Sequence, residues 1–221
     1  MNWTGERLQT FIYNRDAIEH LHRYAITTPY IVTKNVLDVA CGEGYGSNLI
    51  SKYANQVYGV DIDSTTIDLA KKKYKKDNLS FKSGSTDAIP LGDNSIDVVI
   101  SFETIEHHNK HEKMFDEIKR VLKKDGILII STPDKKFYSD VRNFTNKFHI
   151  KELYKSEFLN LISKNFSQYL LLNQEYIGST SVINLNEKSM IYGGNYNNID
   201  ILKVDPLYLV AICSDYKFNN M

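Results

Sequence analysis

An apolar strand that runs directly into a glycine-rich turn is the feature of this 221-residue chain that most limits its fold. Residues 36–46 read Val-Leu-Asp-Val-Ala-Cys-Gly-Glu-Gly-Tyr-Gly, and a helical pattern follows them. A second apolar strand then ends at Asp61. This order is typical of a nucleotide-binding strand-turn-helix unit, in which an acidic residue at the end of the second strand binds a ribose. The sequence therefore predicts an α/β fold with a ligand at the turn.

The spacing and charge of the turn indicate which kind of ligand it binds. Gly42, Gly44 and Gly46 recur at every second position, and the acidic residues Asp38 and Glu43 flank them. A dinucleotide site spaces its third glycine differently and presents backbone N–H groups to a pyrophosphate. Because carboxylates repel phosphates, we expect a ligand with a positive end and no phosphate, such as S-adenosylmethionine (SAM). The same features disfavour a NAD-dependent oxidoreductase.

Helical and strand patterns alternate along most of the chain, and this alternation predicts a mostly parallel sheet with helices on both faces. The predicted helices are residues 15–27, 47–53, 65–76, 110–124 and 156–166. The predicted strands are residues 35–39, 57–62, 79–82, 96–102, 127–130, 167–176 and 207–214.

Composition excludes several classes of partner. The 27 basic and 27 acidic residues give a formal net charge of zero, which disfavours a nucleic acid because such binding depends on a basic surface. Two cysteines, one in the turn and one in a late strand, predict no disulfide. Because no apolar stretch has the length of a membrane span and the amino terminus lacks a signal-peptide pattern, we expect a cytoplasmic protein with no membrane partner.

Several segments in a fixed order resemble the motifs of class I SAM-dependent methyltransferases, and the similarity covers roughly residues 30–135. It implies a single Rossmann-like, doubly wound sheet of about seven strands, mostly parallel, with an antiparallel last strand. It also implies SAM as the cofactor. The matching segments are Asp38-x-Ala40-x-Gly42-x-Gly44-x-Gly46, Val60-Asp61-Ile62, residues 84–90, residues 96–100 and residues 126–133.

The resemblance implies how the donor is held. Asp38, at the end of the first strand, is expected to receive the ammonium of the methionine part, directly or through water. Asp61 is expected to bind the two ribose hydroxyls. Ile62 is expected to pack on the adenine, and Arg23 of the leading helix is expected to pair with the donor carboxylate.

The glycines and the adenine-side motif complete the expected donor site. Gly42 and Gly44 are expected to let the backbone approach the donor, which a Cβ would prevent. In the third motif, Gly84 is followed by Ser85, whereas the family often has Asp there, and Asp87 stands two residues further on. The partner of the adenine amine is therefore open between Ser85 and Asp87.

The segment after the fourth strand holds the expected catalytic groups. Methyl transfer to a hydroxyl needs the acceptor oxygen about 3 Å from the methyl carbon and a group that takes its proton. Glu103, Glu106 and His107 share one side of this segment if it is helical. In one interpretation His107 is the base, with Glu103 and His149 as further catalytic residues. In the other interpretation, Glu103, Glu106, His107 and His149 bind magnesium or manganese, because the pattern resembles that of small-RNA 3′-end methyltransferases.

We expect one domain over residues 1–221, with a leading helical segment at 1–30 and two insertions on the acceptor side. Residues 134–150 leave the fifth strand at its carboxyl end, where open α/β sheets bind ligands. Residues 177–205 separate the last two strands, and segments of this length are usually functional.

A finer resemblance concerns the acceptor. Trp3-Thr4-Gly5-Glu6-Arg7 and Phe148-His149-x-x-Glu152-Leu153 resemble segments of methyltransferases associated with bacterial surface-glycan and nucleotide-sugar assembly. This implies a small-molecule acceptor, a sugar or nucleotide-sugar that is methylated on a hydroxyl. Two alternatives are a metal-assisted O-methyltransferase of RNA 3′ ends or aromatic hydroxyls, and a non-enzymatic partner protein with a SAM-binding fold.

Overall fold

An eight-stranded mixed sheet forms the centre of the fold in a computed structural model that describes residues 14–177, 180–185, 191–194, 196, 198–202 and 205–217. The predicted motif at residues 3–7 lies outside this part of the chain. The strands in the described residues are β1 (Asn35–Val39), β2 (Gln56–Asp61), β3 (Leu79–Ser83), β4 (Ile96–Ser101), β5 (Leu122–Pro133), β6 (Gln168–Ile177), β7 (Thr180–Asn184), β8 (Ile191–Gly194), β9 (Ile199–Leu202) and β10 (Tyr208–Ser214).

Helices flank the sheet and follow the strands in alternation. They are α1 (Arg15–Ile26), α2 (Thr28–Ile31), α3 (Tyr45–Ile50), α4 (Ser64–Lys73), α5 (His111–Val121) and α6 (Lys155–Asn165). A 3₁₀ turn (Ile105–His107) follows β4, and a π-helical turn (Lys136–Asp140) follows β5. None of the described helices is long and apolar enough to cross a bilayer.

The strand order is β3-β2-β1-β4-β5-β10-β6-β7, and β8 pairs with β9 in a separate hairpin. Neighbouring strands from β3 to β5 are parallel, whereas β10 runs antiparallel to both β5 and β6. This confirms the expected doubly wound fold with an antiparallel last strand, although the sheet has eight strands rather than about seven. Because β1 lies between β2 and β4, the order reverses there, and open α/β sheets bind ligands at such a point.

Alternating side chains of β1 show why the sheet needs helices on both faces. Val36 packs in a buried cluster with side chains of α1 to α4, including Ile67. Leu37 packs in a second cluster with side chains of α5 and α6, including Phe115 and Phe158. Successive residues of a strand point to opposite faces, so an apolar run such as β1 is stable only when both faces are covered.

Two predicted regions differ from the structure. The fifth helix ends at Val121 rather than near Lys124, because β5 already pairs with β4 from Leu122 onward. The segment 177–205, predicted as an insertion without regular structure, contains β7 and the β8–β9 hairpin in its described part. These strands are held by pairing with a neighbouring strand, which a helical or apolar period does not reveal.

A buried carboxylate joins the leading helix to the sheet. Asp38 of β1 is 1% exposed and accepts hydrogen bonds from the hydroxyls of Ser47 (2.6 Å) and Tyr24 (3.1 Å). Gly46 makes room for the Tyr24 ring, since a Cβ there would come within 1.9 Å of it. Burial raises the pKa of Asp38 to about 6, and the two hydroxyl hydrogen bonds limit that rise.

We expect the Asp38→Asn variant to lose part of the pH dependence of stability. Because the carboxyl has a pKa of about 6 when folded and about 4 when unfolded, the folded state binds the extra proton between these values. The free energy of unfolding of the wild type should therefore fall as pH rises from about 4 to about 6. Relative to the variant, the loss should reach roughly 2–3 kcal/mol by pH 7, measured by urea unfolding across this range. A difference between the two proteins that does not change with pH would contradict the assignment.

Candidate functional site

A cavity of about 520 Å³ lies beyond the carboxyl ends of the parallel strands, within the size range of small-molecule sites. Its wall comes from the turns that follow β1, β2, β3 and β4. The residues on this wall include Gly42, Asp61, Ile62, Ser85, Glu103 and His107. We refer to this space as the donor cavity.

The two glycines of the turn serve different purposes. Gly42 has φ +54°, lies on the cavity wall and has nothing within 4 Å of the position of a Cβ. Gly44 has φ +84°, but it is not part of the wall, and a Cβ there would come within 2.6 Å of the Phe81 ring. Gly44 therefore does not open space at the cavity wall, which was the reason the sequence suggested for this glycine. Gly44 is needed for its left-handed backbone and for packing against β3.

Asp61 lies on the wall at the end of β2, where the sequence predicted it. One carboxylate oxygen accepts the backbone N–H of Gly42 at 2.9 Å, and the other accepts that of Asp63 at 3.0 Å. A carboxylate has about four acceptor positions, which suits it to binding two neighbouring hydroxyl groups. The contacts with Gly42 and Asp63 fix its orientation, because Asp63 is also the N-cap of α4.

Asp38 supports the wall and is not part of it. Its side chain is buried beneath the turn, and Tyr24 and Ser47 occupy its oxygens. The geometry therefore does not favour a direct contact with the donor ammonium, and the predicted contact through water stays a prediction. The carboxylates that do reach the cavity wall are Glu43, Asp61, Asp87 and Glu103.

The predicted adenine side of the cavity contains both candidate partners. Ile62 is 74% exposed on the wall, so its side chain is not core packing. The Ser85 hydroxyl donates to the carboxylate of Asp87, and Lys110 donates to the same carboxylate at 2.7 Å. The Lys110 ammonium and the Ser85 hydroxyl lower the pKa of Asp87 to about 2. Ser85 and Asp87 thus form one unit, and the choice between them as adenine partner stays open.

Arg23 is fully buried and lies away from the wall. Its Nη1 donates to the Gln174 side chain at 2.6 Å, and its guanidinium lies over the Tyr208 ring at 4.7 Å. The Glu103 carboxylate is 3.9 Å away. The guanidinium joins α1 to β6 and β10 and is not on the wall of the donor cavity, so its pairing with the donor carboxylate stays a prediction.

Glu103 faces the donor cavity instead of joining the other predicted ligands. It has a left-handed backbone (φ +49°), and its carboxylate accepts the Ser131 hydroxyl at 2.7 Å. The predicted helical convergence of Glu103, Glu106 and His107 fails because the turn is a 3₁₀ turn that begins only at Ile105.

Glu106, His107 and His149 do come together, with one ligand atom from each within 4.8 Å of the others. His107 and His149 meet edge to face, with ring centroids 5.1 Å apart. The Nδ1 atom of His107 is 3.0 Å from the Phe148 carbonyl, an acceptor that requires Nδ1 to carry the proton. Burial is the largest cause that raises the pKa of Glu106 well above its ordinary value, and the nearby charge of Glu103 adds to it.

Three hydrogen bonds join this turn to the segment after β5. The Glu106 carbonyl accepts the backbone N–H groups of Ile150 (2.8 Å) and Lys151 (3.0 Å). The third is the bond between His107 and the Phe148 carbonyl. These bonds place residues 148–151 beside the donor cavity, although about 40 residues of chain separate the two segments. Ile150 therefore lies on its wall.

Sequence analysis missed the residues that orient His149. Its Nδ1 is 2.6 Å from the Glu152 carboxylate, and Ser139 donates to the other oxygen of that carboxylate at 2.5 Å. The Asn146 amide nitrogen is 3.0 Å from Nε2. Burial is the largest cause that lowers the pKa of His149. The spacing of three residues between His149 and Glu152 was a visible signal for this pair, whereas the contact with Ser139 was not.

The comparisons with known proteins agree with this geometry. A family model described as a methyltransferase domain matches residues 37–130. A probable SAM-dependent methyltransferase of Mycobacterium tuberculosis is 33% identical over 166 residues, which are 72% of this chain and 58% of that protein. A phthiotriol/phenolphthiotriol dimycocerosates methyltransferase of Mycobacterium ulcerans is 30% identical over 131 residues, 58% of this chain and 45% of that protein. The chain thus spans about half the length of these relatives.

Solved structures support the fold. A SAM-dependent methyltransferase from Thermotoga maritima superposes with a TM-score of 0.67 at 15% identity, over 90% of this chain and 91% of that one. The matched family model covers β1 to most of β5, which is the part that supplies most of the donor cavity's wall. Motif order, strand order and these similarities together establish that the chain belongs to the class I SAM-dependent methyltransferases.

Proposed function

We propose that this protein transfers the methyl group of SAM to a hydroxyl of a small acceptor, a sugar or nucleotide-sugar. The observation that carries the proposal is the position of two histidines. His107 lies on the wall of the donor cavity, and its ring contacts His149, which lies on the wall of a second, polar cavity. A donor in the first cavity and an acceptor in the second would therefore meet at a pair of imidazoles.

The charges of the donor cavity suit SAM. The carboxylates on its wall face a ligand that carries an ammonium and a sulfonium, and opposite charges attract across a partly buried space. Glu103, which accepts a hydrogen bond from Ser131, is a carboxylate of the wall just before the 3₁₀ turn (Ile105–His107). Asp61 supplies acceptor positions for the ribose, and Gly42 lets the backbone lie against the ligand.

The proposed reaction is an in-line displacement. The acceptor hydroxyl gives its proton to a ring nitrogen of His107, and its oxygen bonds to the methyl carbon. The bond between carbon and sulfur breaks, and its electron pair stays on sulfur, so S-adenosylhomocysteine leaves as a neutral thioether. Because Nδ1 of His107 donates to the Phe148 carbonyl, Nε2 is the nitrogen that accepts the proton.

The sugar acceptor is supported by the resemblance of residues 148–153 to methyltransferases of surface-glycan and nucleotide-sugar assembly, and the proposal therefore includes a role in carbohydrate biosynthesis. The relative from M. ulcerans is named for a lipid acceptor, a dimycocerosate. A lipid acceptor is therefore the competing substrate class within the same reaction. Binding of SAM without turnover of any acceptor would favour the non-enzymatic alternative.

Replacing Asp61 with Ala should weaken SAM binding by about 10- to 100-fold, because hydrogen bonds from the ribose to a charged group are lost. Calorimetric titration with SAM and with S-adenosylhomocysteine measures the effect. The control is Asp68→Ala, which removes an exposed carboxylate of α4 that pairs only with Lys71 at 3.5 Å in the described structure. Equal affinities of wild type and Asp61→Ala would contradict the donor site.

Replacing His107 with Ala should slow turnover by about 10²- to 10⁴-fold and leave the dissociation constant of SAM unchanged, since a base acts on the acceptor. Initial rates with a methyl-accepting sugar substrate measure the first effect and calorimetry the second. His108→Ala is the control, because His108 lies on the same wall but contacts Thr86 and His111 instead. Normal turnover in His107→Ala would remove His107 from the chemistry.

A metal-assisted reaction is the second candidate, and one observation favours it. The Glu106 Oε2 atom is buried and has no hydrogen-bond partner among the described residues. His107 and His149 each have Nδ1 beside an oxygen acceptor, the arrangement common for histidines that bind metal through Nε2. In His149 the ion would replace the contact of Nε2 with the Asn146 amide nitrogen. One carboxylate and two imidazoles suit manganese or magnesium, and such an ion could bind RNA 3′ ends or aromatic diols.

If a metal acts here, a chelator should abolish turnover and manganese should restore it. Calorimetric titration of the SAM-bound protein with manganese should give a heat that Glu106→Gln removes. Glu112→Gln is the matched control, because Glu112 is exposed and pairs with Lys164 on the surface. Full activity in the presence of chelator, together with no heat of manganese binding, would contradict the metal-assisted reaction and favour His107 as the base.

A further inference from the structure

A second cavity of about 600 Å³ lies beside the donor cavity. Every residue on its wall comes from positions 135–152, the segment that follows β5. Ile150 lies on the walls of both cavities. We refer to this space as the acceptor cavity.

The wall of the acceptor cavity is mostly polar and balanced in charge. Lys135 and Lys151 carry positive charge, and Asp140 and Glu152 carry negative charge. Hydroxyl and amide side chains fill most of the remaining wall, and the apolar lining residues are Phe144 and Ile150. A long acyl chain gains nothing from such a wall, because burying polar groups without hydrogen bonds costs free energy. The cavity fits a hydroxylated, water-soluble molecule.

Phe144 is the aromatic apolar residue of this wall, and neighbouring side chains contact its ring. Its side chain is 42% exposed on the polar wall. The ring packs edge to face against Tyr138 at 5.7 Å between centroids, and the Arg142 guanidinium lies 5.2 Å from its centroid. Tyr138 in turn stacks on His149 at 5.3 Å. An exposed, fixed ring on a polar wall offers a flat apolar surface beside hydrogen-bonding groups.

Polar side chains around this ring are also fixed. Asn146 is hydrogen-bonded to His149 and donates to the Tyr138 hydroxyl at 3.4 Å. Ser139 holds the Glu152 carboxylate, which pairs with His149. Groups whose directions are set in advance lose little entropy when they bind a ligand. The wall thus combines one apolar face with oriented donors and acceptors.

We infer that the acceptor cavity binds a hexose ring, with its C–H face on Phe144 and its hydroxyls on the side chains around Asn146. A sugar ring has an apolar face and a polar edge, and this is the pattern of the wall. Because His149 on this wall contacts His107 on the wall of the donor cavity, one hydroxyl of the sugar would lie near the donor cavity. This inference rests on the proposed function and adds the acceptor's position and the ring that recognises it.

The test uses full-length protein saturated with S-adenosylhomocysteine and saturation-transfer NMR with glucose, galactose, UDP-glucose and GDP-mannose. At least one hexose should show transfer to its ring C–H protons. Phe144→Ala should weaken that binding about fivefold or more, and Phe144→Leu, which keeps apolar bulk, should weaken it less. Tyr53→Ala, which removes a 51% exposed ring elsewhere on the surface, should leave it unchanged.

The outcomes separate the two proposals. Saturation transfer to the ring protons of free hexoses would support hexose binding in the acceptor cavity, with a free sugar as the ligand. Transfer only to the hexose part of nucleotide-sugars would support the same binding, with a nucleotide-sugar as the ligand. Absence of hexose binding, an unchanged affinity in Phe144→Ala, or an equal loss in Tyr53→Ala overturns it. Calorimetry on the same samples reports S-adenosylhomocysteine binding. If that binding is intact, only the acceptor assignment has failed, and if it is absent, the methyltransferase proposal has failed as well.

Discussion

The hydrogen bonds between the turn after β4 and residues 148–151 are the constraint on which the whole site depends. Two backbone N–H groups bind the Glu106 carbonyl, and the Phe148 carbonyl binds His107. Two of these bonds are entirely backbone, and the third uses the short imidazole side chain of His107, so none depends on a long, flexible side chain. They bring His149 against His107 and make the two cavities neighbours. These bonds hold residues 148–151 beside the donor cavity.

The donor half of the site could be predicted because its signals are local in sequence. The glycine turn, the Asp61 carboxylate and β1 (Asn35–Val39) follow from apolar runs and spacing, and the structure has them in place. The buried positions of Arg23 and Asp38 could not be predicted. Arg23 is buried because Gln174 and Tyr208 approach it from strands more than 150 residues away. Such contacts leave no periodic pattern in the residues around them.

Arg23 shows how the sheet's last strands are linked to the donor cavity. A fully buried guanidinium is costly unless it is compensated, and its Nε and Nη2 atoms have no hydrogen-bond partner among the described residues. The Tyr208 ring and the Glu103 carboxylate provide part of that compensation. Glu103 therefore lies between the buried guanidinium of Arg23 and the donor cavity, and it interacts with both sides. A positive donor would meet a carboxylate already oriented by Ser131.

The segment after β5 is the part that we propose to select the acceptor. Class I methyltransferases share the donor half, so the acceptor must be chosen by parts that differ among them. In this chain that part is short and polar, and it builds its own cavity from residues 135–152. Phe144 is on its surface although folding alone would favour burying such a ring. Arg142 and Tyr138 keep it there. A ring that its neighbours hold on the wall of a polar cavity meets the requirement of the proposed contact with a sugar face.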